Sequence, residues 1–198
     1  KKRIILQMNV GERIFTEREQ SLYERILTEL PDASLLPTER PDAPVPVVHF
    51  ENFDEFHASR VDLQTFKFEI ARSPDVQTYY EKATEYLNGA IVLDGKTPFE
   101  LITETVLATQ KLVIQSMPYP YYTSPDTIHC ILWYVNGTAD EEKARFLVEI
   151  FQKYGIREED FVITTNPIFV RSVHKFRHDH VFVRRTPASP PLGFYFED

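Results

Sequence analysis

Three of the six histidines crowd the stretch "HKFRHDHVFVRRT", as His174, His178 and His180. A fourth, His129, sits in the β-branched and aromatic run "TIHCILWYV". In a strand, residues two apart point to the same face. His178 and His180 therefore share a face, and His129 shares one with Ile131 and Trp133. If the two strands are neighbours, the three imidazoles His129, His178 and His180 can converge. Three imidazoles on one sheet face form a competent first shell for zinc or another divalent ion. Their ordinary pKa, about 6.5, equally suits acid–base work. The plainer reading is structural, with histidines hydrogen-bonded inside a sheet or lying on its solvent face. Beyond a divalent metal on these residues, no cofactor is expected.

The other chemistry-bearing patterns are absent. Six glycines provide no GxGxxG, no P-loop and no Gly-x-Ser-x-Gly elbow, and HExxH does not occur. The single cysteine, Cys130, rules out an intrachain disulfide and every multi-cysteine zinc pattern. It fits an intracellular, reducing compartment, the cytoplasm or an organelle matrix such as that of a mitochondrion. The chain opens Lys1-Lys2-Arg3 without Met, which reads as trimming or processing. No apolar run approaches the ~18 residues of a membrane-spanning helix. A formal net charge of −8 argues against general nucleic-acid binding. One local basic cluster stands out: Arg171, Lys175, Arg177, Arg184 and Arg185 are interrupted only by Asp179. It reads as a charged strand edge or as an anion site.

Several elements must position these residues. Residues 4–10 read as a strand. Thr16 and Glu19 form a capping box for a helix from Thr16 to Leu30. Five prolines between Pro31 and Pro46 make an extended strap. A short helix is predicted within "ENFDEFHAS" and another over "VDLQTFKFEIAR". Ser73-Pro74 starts a third, with Val76, Tyr79, Tyr80, Ala83 and Leu87 as its apolar stripe. Thr97-Pro98 opens a further helix with Leu101, Ile102, Val106 and Leu112 as core candidates. After the proline-punctuated "MPYPYYTSPD" come the strand at Thr127–Val135 and a helix from Thr138, capped by that residue and Glu141 and closed by Gly155. "DFVIT" follows as a strand, then Asn166-Pro167 and "IFVRSV", then the strand "HVFVRR". The fold expected is α+β: a helical middle region, then a small sheet (strand–helix–strand–strand) with one flanking helix. Residues 1–60 read as an N-terminal extension carrying the strap, 61–186 as the core domain, and 187–198 as a proline- and aromatic-rich tail.

Ordered fragments of the chain resemble a largely uncharacterised domain family that includes the fungal N-acetylglucosamine-induced protein. They are "ARSPDVQTYY", "MPYPYY", "DTIHCILWYV", Asn166 and "RSVHKFRHDHVFV", over about residues 61–185. The sequence departs from that pattern at Pro120 and Pro167. The resemblance implies no reaction. It singles out Arg72, Ser73, Tyr119, His129, Trp133, Asn166, His178 and His180. With Arg177 from the basic cluster, Arg72, Tyr119 and Asn166 are the candidate ligand-binding residues.

Two functions stay open. One is a non-catalytic binding or accessory subunit of a larger assembly, meeting protein partners through segments 31–48 and 187–198. The other is a small histidine-dependent enzyme, or a protein that binds a sugar or phosphate ligand.

Overall fold

The computed structural model describes residues 14–90, 94–97, 100–101, 104, 107–108, 111–171 and 177–187. The strand expected at residues 4–10, His174, Lys175, Ile102, Val106 and the tail beyond residue 187 lie outside them.

The chain forms an α+β fold around one four-stranded sheet. Helix α1 spans Glu17–Glu29, α2 Phe53–Ala58, α3 Arg60–Gln64 and α4 Pro74–Gly89. Strands β1 (Leu112–Ser116) and β2 (Thr127–Tyr134) follow, then helix α5 (Asp140–Lys153), then β3 (Phe161–Thr164) and β4 (Arg177–Arg184). The strand order is β1-β2-β4-β3, and every pairing is antiparallel. Strands β2 and β3 are therefore parallel to each other. They are joined through α5, and β4 runs between them. No helix of the described residues is long and apolar enough to cross a membrane.

Period-2 alternation gives the sheet two buried faces. One presents Ile128, Cys130, Leu132 and Tyr134 from β2 with Val181 and Val183 from β4, and is covered by α5 and α1. The amphipathic spacing of Ala144, Leu147, Val148 and Phe151 turns that side of α5 onto the sheet, and Leu22 and Ile26 do the same for α1. The other face presents His129, Ile131 and Trp133 with His178, His180 and Phe182. Phe182 and Val162 pack there against Phe53, Phe56, Leu63 and Phe68. Helices α1 and α2 thus belong to the same cores as the sheet. The boundary expected after residue 60 falls just inside α3, whose Leu63 shares one cluster with Phe53 and Phe56.

Local rules explain most ends. Thr16 and Glu19 close the capping box of α1, at 2.7 and 3.3 Å. Ser73 caps α4 and Pro74 fills its first position. Gly155, at φ 66°, lets Ile156 N–H return to the Phe151 carbonyl and end α5.

Three local expectations need correction. Leu112 does not end a helix. It opens β1 opposite Tyr134, because pairing with β2 overrides the helical spacing that runs up to it. Helix α3 stops at Gln64, and Phe66 takes a left-handed φ of 57°. Beyond it the chain bends through Lys67 and Phe68 and then bridges Glu69 to Val47. The start of α5 lies one residue later than expected: Glu142, not Glu141, reaches back to the Ala139 N–H, while the Thr138 hydroxyl donates to the Val135 carbonyl. Between β3 and β4, "IFVRSV" contains a 3-10 turn at Ile168–Val170.

Truncating Phe151, fully buried against Phe161 at 4.8 Å, tests the first core. Phe151→Ala should lose about 3–5 kcal/mol in urea unfolding. A loss under ~1 kcal/mol would mean that α5 does not anchor that face.

Candidate functional site

The histidine face of the sheet is closed by the loop between β1 and β2. Its prolines at 118, 120 and 125 keep residues 117–126 extended, and backbone bonds tie it down at Phe50 N–H to the Thr123 carbonyl and Tyr122 N–H to the Ala71 carbonyl. The loop lays Tyr121 flat on His129, with ring centres 5.0 Å apart at 15°. Phe182 stacks on the other side of His129 at 4.5 Å. Above Tyr121 lies the Arg72 guanidinium, 4.4 Å from its ring and 3.6 Å from that of Tyr80. Arg72 Nε donates to the Tyr119 carbonyl at 2.9 Å. Tyr119 thus supplies its backbone to Arg72.

Hydrogen bonds run through this stack in a closed circuit. Tyr121 N–H donates to Nδ1 of His129 at 3.1 Å. Nε2 of His129 meets Nδ1 of His180 at 2.9 Å. Nε2 of His180 lies 3.0 Å from Nδ2 of Asn166, which is 3.2 Å from the Tyr121 hydroxyl. Both histidines are buried, and their pKa values fall well below the usual 6.5. Burial is the main cause, followed for His129 by the charge of Arg72 and for His180 by His129 itself. Both are therefore neutral and carry one ring proton each.

That single proton fixes the direction of every bond. A backbone N–H can only donate, so Nδ1 of His129 accepts and its proton sits on Nε2. His129 then donates to Nδ1 of His180, whose own proton also sits on Nε2. A protonated Nε2 needs an acceptor. A carboxamide turned 180° about its last torsion exchanges oxygen for nitrogen. Asn166 in that orientation offers one oxygen to both His180 and the Tyr121 hydroxyl, and every contact has the right polarity.

The three-histidine metal set does not assemble. His178 lies on the same face, but it packs on Trp133 at 4.7 Å and stands 5.4 Å from the His180 ring. His129 and His180 aim their nitrogens at each other across a hydrogen bond, which leaves no lone pair for an ion about 2.0–2.1 Å away. Among the described residues no three His, Cys, Asp or Glu side chains gather as metal ligands. Arg177 is exposed on the opposite face of β4 and does not reach the circuit, because odd and even positions of a strand diverge. The basic cluster is likewise divided. Arg184 pairs with Asp160 at 2.8 Å and with Asp54, while Arg171 donates to the Asn166 carbonyl at 2.7 Å and the Thr165 hydroxyl at 3.4 Å.

Sequence reasoning singled out Arg72, Tyr119, His129, Asn166 and His180, and these do come together. It missed Tyr121, whose only signal was its place in "MPYPYY". It also missed Asp179, which the alternation puts behind the histidines. Asp179 is buried on the α5 side, takes a hydrogen bond from Tyr134 at 3.2 Å and stands 3.5 Å from the buried Lys143 ammonium. Burial pushes its pKa up to about 6 against the pull of Lys143. Cys130, on that same face, has its thiol pushed up to about 12 by burial and is inert. A cavity of about 50 Å³ opens beside Asn166 and Tyr121, walled by Phe66, Phe68 and Val170.

No family model and no curated protein matches this chain. A solved chain described as the crystal structure of HTC1 is similar over 69% of this chain and 86% of its own, with 13% identity and a TM-score of 0.45. A likeness that shallow carries neither fold nor function across.

Two measurements follow. Long-range ¹H–¹⁵N spectra should show His129 and His180 as neutral, Nε2-protonated rings from about pH 6 to 8; an Nδ1-protonated form of either would break the circuit. The pH dependence of stability has opposing parts. The depressed histidines contribute stability that is present above about pH 6.5 and lost as pH falls. Asp179, whose pKa is raised, contributes stability that is present below about 3.8 and lost as pH rises through about 6. Between about pH 5 and 6 the unfolding free energy of Asp179→Asn should therefore climb with pH more steeply than that of the wild type. The gap falls from nearly one proton at about pH 5 to about half a proton at about pH 6, on average ~1 kcal/mol per pH unit. Equal slopes would show that Asp179 titrates normally.

Proposed function

We propose that this protein is a non-catalytic binding protein that works as an accessory subunit of a larger assembly. One observation carries the reading: every ring nitrogen of the two convergent histidines is engaged inside a buried, closed hydrogen-bond circuit. An acid–base or metal role needs at least one of them facing a cleft. What is left at this place is recognition by shape, stacking and hydrogen bonding.

The strap supports a protein partner. Its end is anchored where Glu69 N–H donates to the Pro46 carbonyl and Val48 N–H donates to the Glu69 carbonyl. Most of residues 37–45 is exposed. An ordered, solvent-facing proline segment offers a pre-extended surface at low entropic cost. The tail from residue 187 belongs to the same proposal on its composition. A reducing compartment, cytoplasm or organelle matrix, suits the single buried Cys130. Kinship with the family of the N-acetylglucosamine-induced protein is part of this reading. Its support is that Arg72, Tyr119, His129, Asn166 and His180 meet in one place.

Native mass spectrometry on the protein isolated gently from its source provides the test. The expected mass is that of a complex with defined subunits and no divalent metal. Replacing residues 37–45 with a Gly/Ser linker of equal length should release the chain, while circular dichroism stays unchanged. A stoichiometric metal lost in His180→Asn, or an assembly indifferent to the strap, would overturn the reading.

A further inference from the structure

The direction of the circuit has a chemical consequence for the cavity beside it. With its oxygen turned to His180 and Tyr121, Asn166 presents its NH2 group at the other end of the amide. That end is bonded to no described residue, and Asn166 lines the cavity. The cavity therefore holds a pair of donors fixed from behind by two buried histidines. Glu69 lines the same space, its backbone clamped by the strap at Pro46 and Val48. Its carboxylate makes no hydrogen bond or ion pair among the described residues. The buried Thr164 also lines the cavity, with a hydroxyl that makes none among them either. Phe66 and Phe68 supply apolar walls.

We propose that this cavity is a binding site for a carboxamide group. The ligand's carbonyl oxygen accepts from the Asn166 NH2 and the Thr164 hydroxyl, its N–H donates to the Glu69 carboxylate, and its aliphatic stem lies against Phe66 and Phe68. A carboxylate fits the donors but is repelled by Glu69. An ammonium fits Glu69 but meets the donors of Asn166. Only a group with an acceptor and a donor side by side satisfies both ends. The size agrees: about 50 Å³ holds roughly four water-sized centres, the bulk of a carboxamide and one carbon. The site stands whether or not the protein works in an assembly. A small free amide and a glutamine side chain share this chemistry.

The test is a titration of the full ¹⁵N-labelled chain, read by ¹H–¹⁵N spectra. The probes are acetamide, acetate, methylammonium and the tripeptide Gly-Gln-Gly. Acetamide or the tripeptide should move the Thr164, Thr165 and Asn166 signals, the Asn166 side-chain NH2 among them, along a saturable curve. Whichever saturates at the lower concentration identifies the source as a free amide or a glutamine side chain. Acetate and methylammonium should need at least about tenfold more. Glu69→Lys and Thr164→Val leave the histidine circuit intact, and each should weaken the amide about tenfold, the value of one hydrogen bond in a buried site. The proposal falls if acetate equals acetamide at these signals, if neither amide saturates, or if both variants bind as the wild type does.

Discussion

A single backbone donor, the N–H of Tyr121, sets the protonation of everything around it. It cannot accept, so it forces a proton onto the far nitrogen of His129, and through that ring onto the far nitrogen of His180. Side-chain pairs of this kind usually have two degenerate directions. Here one is abolished by a group whose proton is permanent. The chain folds back on itself, since the last acceptor, Asn166, also takes the hydroxyl proton of Tyr121. The same residue opens and closes the circuit. Breaking any link would leave a buried polar atom alone, at about 1–3 kcal/mol. The loop at residues 117–126 is therefore fastened to the sheet by polar bonds that only one geometry satisfies, on top of a ring stack that tolerates sliding.

Central position in the sheet makes this possible. Strand β4 lies between β2 and β3 and has no solvent edge, so both of its faces are buried. On one it carries His178 and His180; on the other, Asp179. Burial acts on the two faces with opposite sign. It strips His180, and His129 beside it, of their charge at neutral pH, and it raises the carboxyl of Asp179 towards neutrality. Asp179 keeps partial access to charge through Lys143, whose ammonium also lies over the Tyr134 ring and pairs with the exposed Asp140. His129 and His180 meet no carboxylate among the described residues of their circuit. The nearest cations, Arg72 and Arg171, reinforce their neutral state.

The sequence carried the fold class and most helix ends legibly, because these follow local rules. The Thr16–Glu19 box, Ser73-Pro74 and Gly155 are read by neighbours in the chain. The errors sit where distant contacts decide. Leu112 continues a helical spacing, yet β2 was available to pair with it. Phe66 turns to a positive φ and so ends α3 early, which no propensity of "VDLQTFKF" announces. The stripe predicted for α4 shows the same limit. Tyr79 is mostly exposed, and Tyr80 is engaged by Arg72 rather than by a core. In the site, the residue types were visible and their grouping was not. Arg177 looked equivalent to its neighbours until alternation assigned it the other face.

The difference between a metal trio and a hydrogen-bonded pair comes down to register. On the shared face His129 stands opposite Phe182, Ile131 opposite His180, and Trp133 opposite His178. His129 and His180 are thus diagonal neighbours, close enough for their rings to touch. His178 is one step further along the same diagonal and falls beside Trp133. A slip of two residues would keep every side chain on its face, so the hydrophobic pattern alone does not forbid it. It would put His129 directly opposite His180 and bring His178 within diagonal reach. What opposes the slip is polar and specific. Tyr134 must meet Asp179 on one face, and His129 must meet both Tyr121 and His180 on the other. The buried polar groups therefore favour the register that bonds His129 to His180, while the apolar residues supply affinity between the strands without choosing among registers.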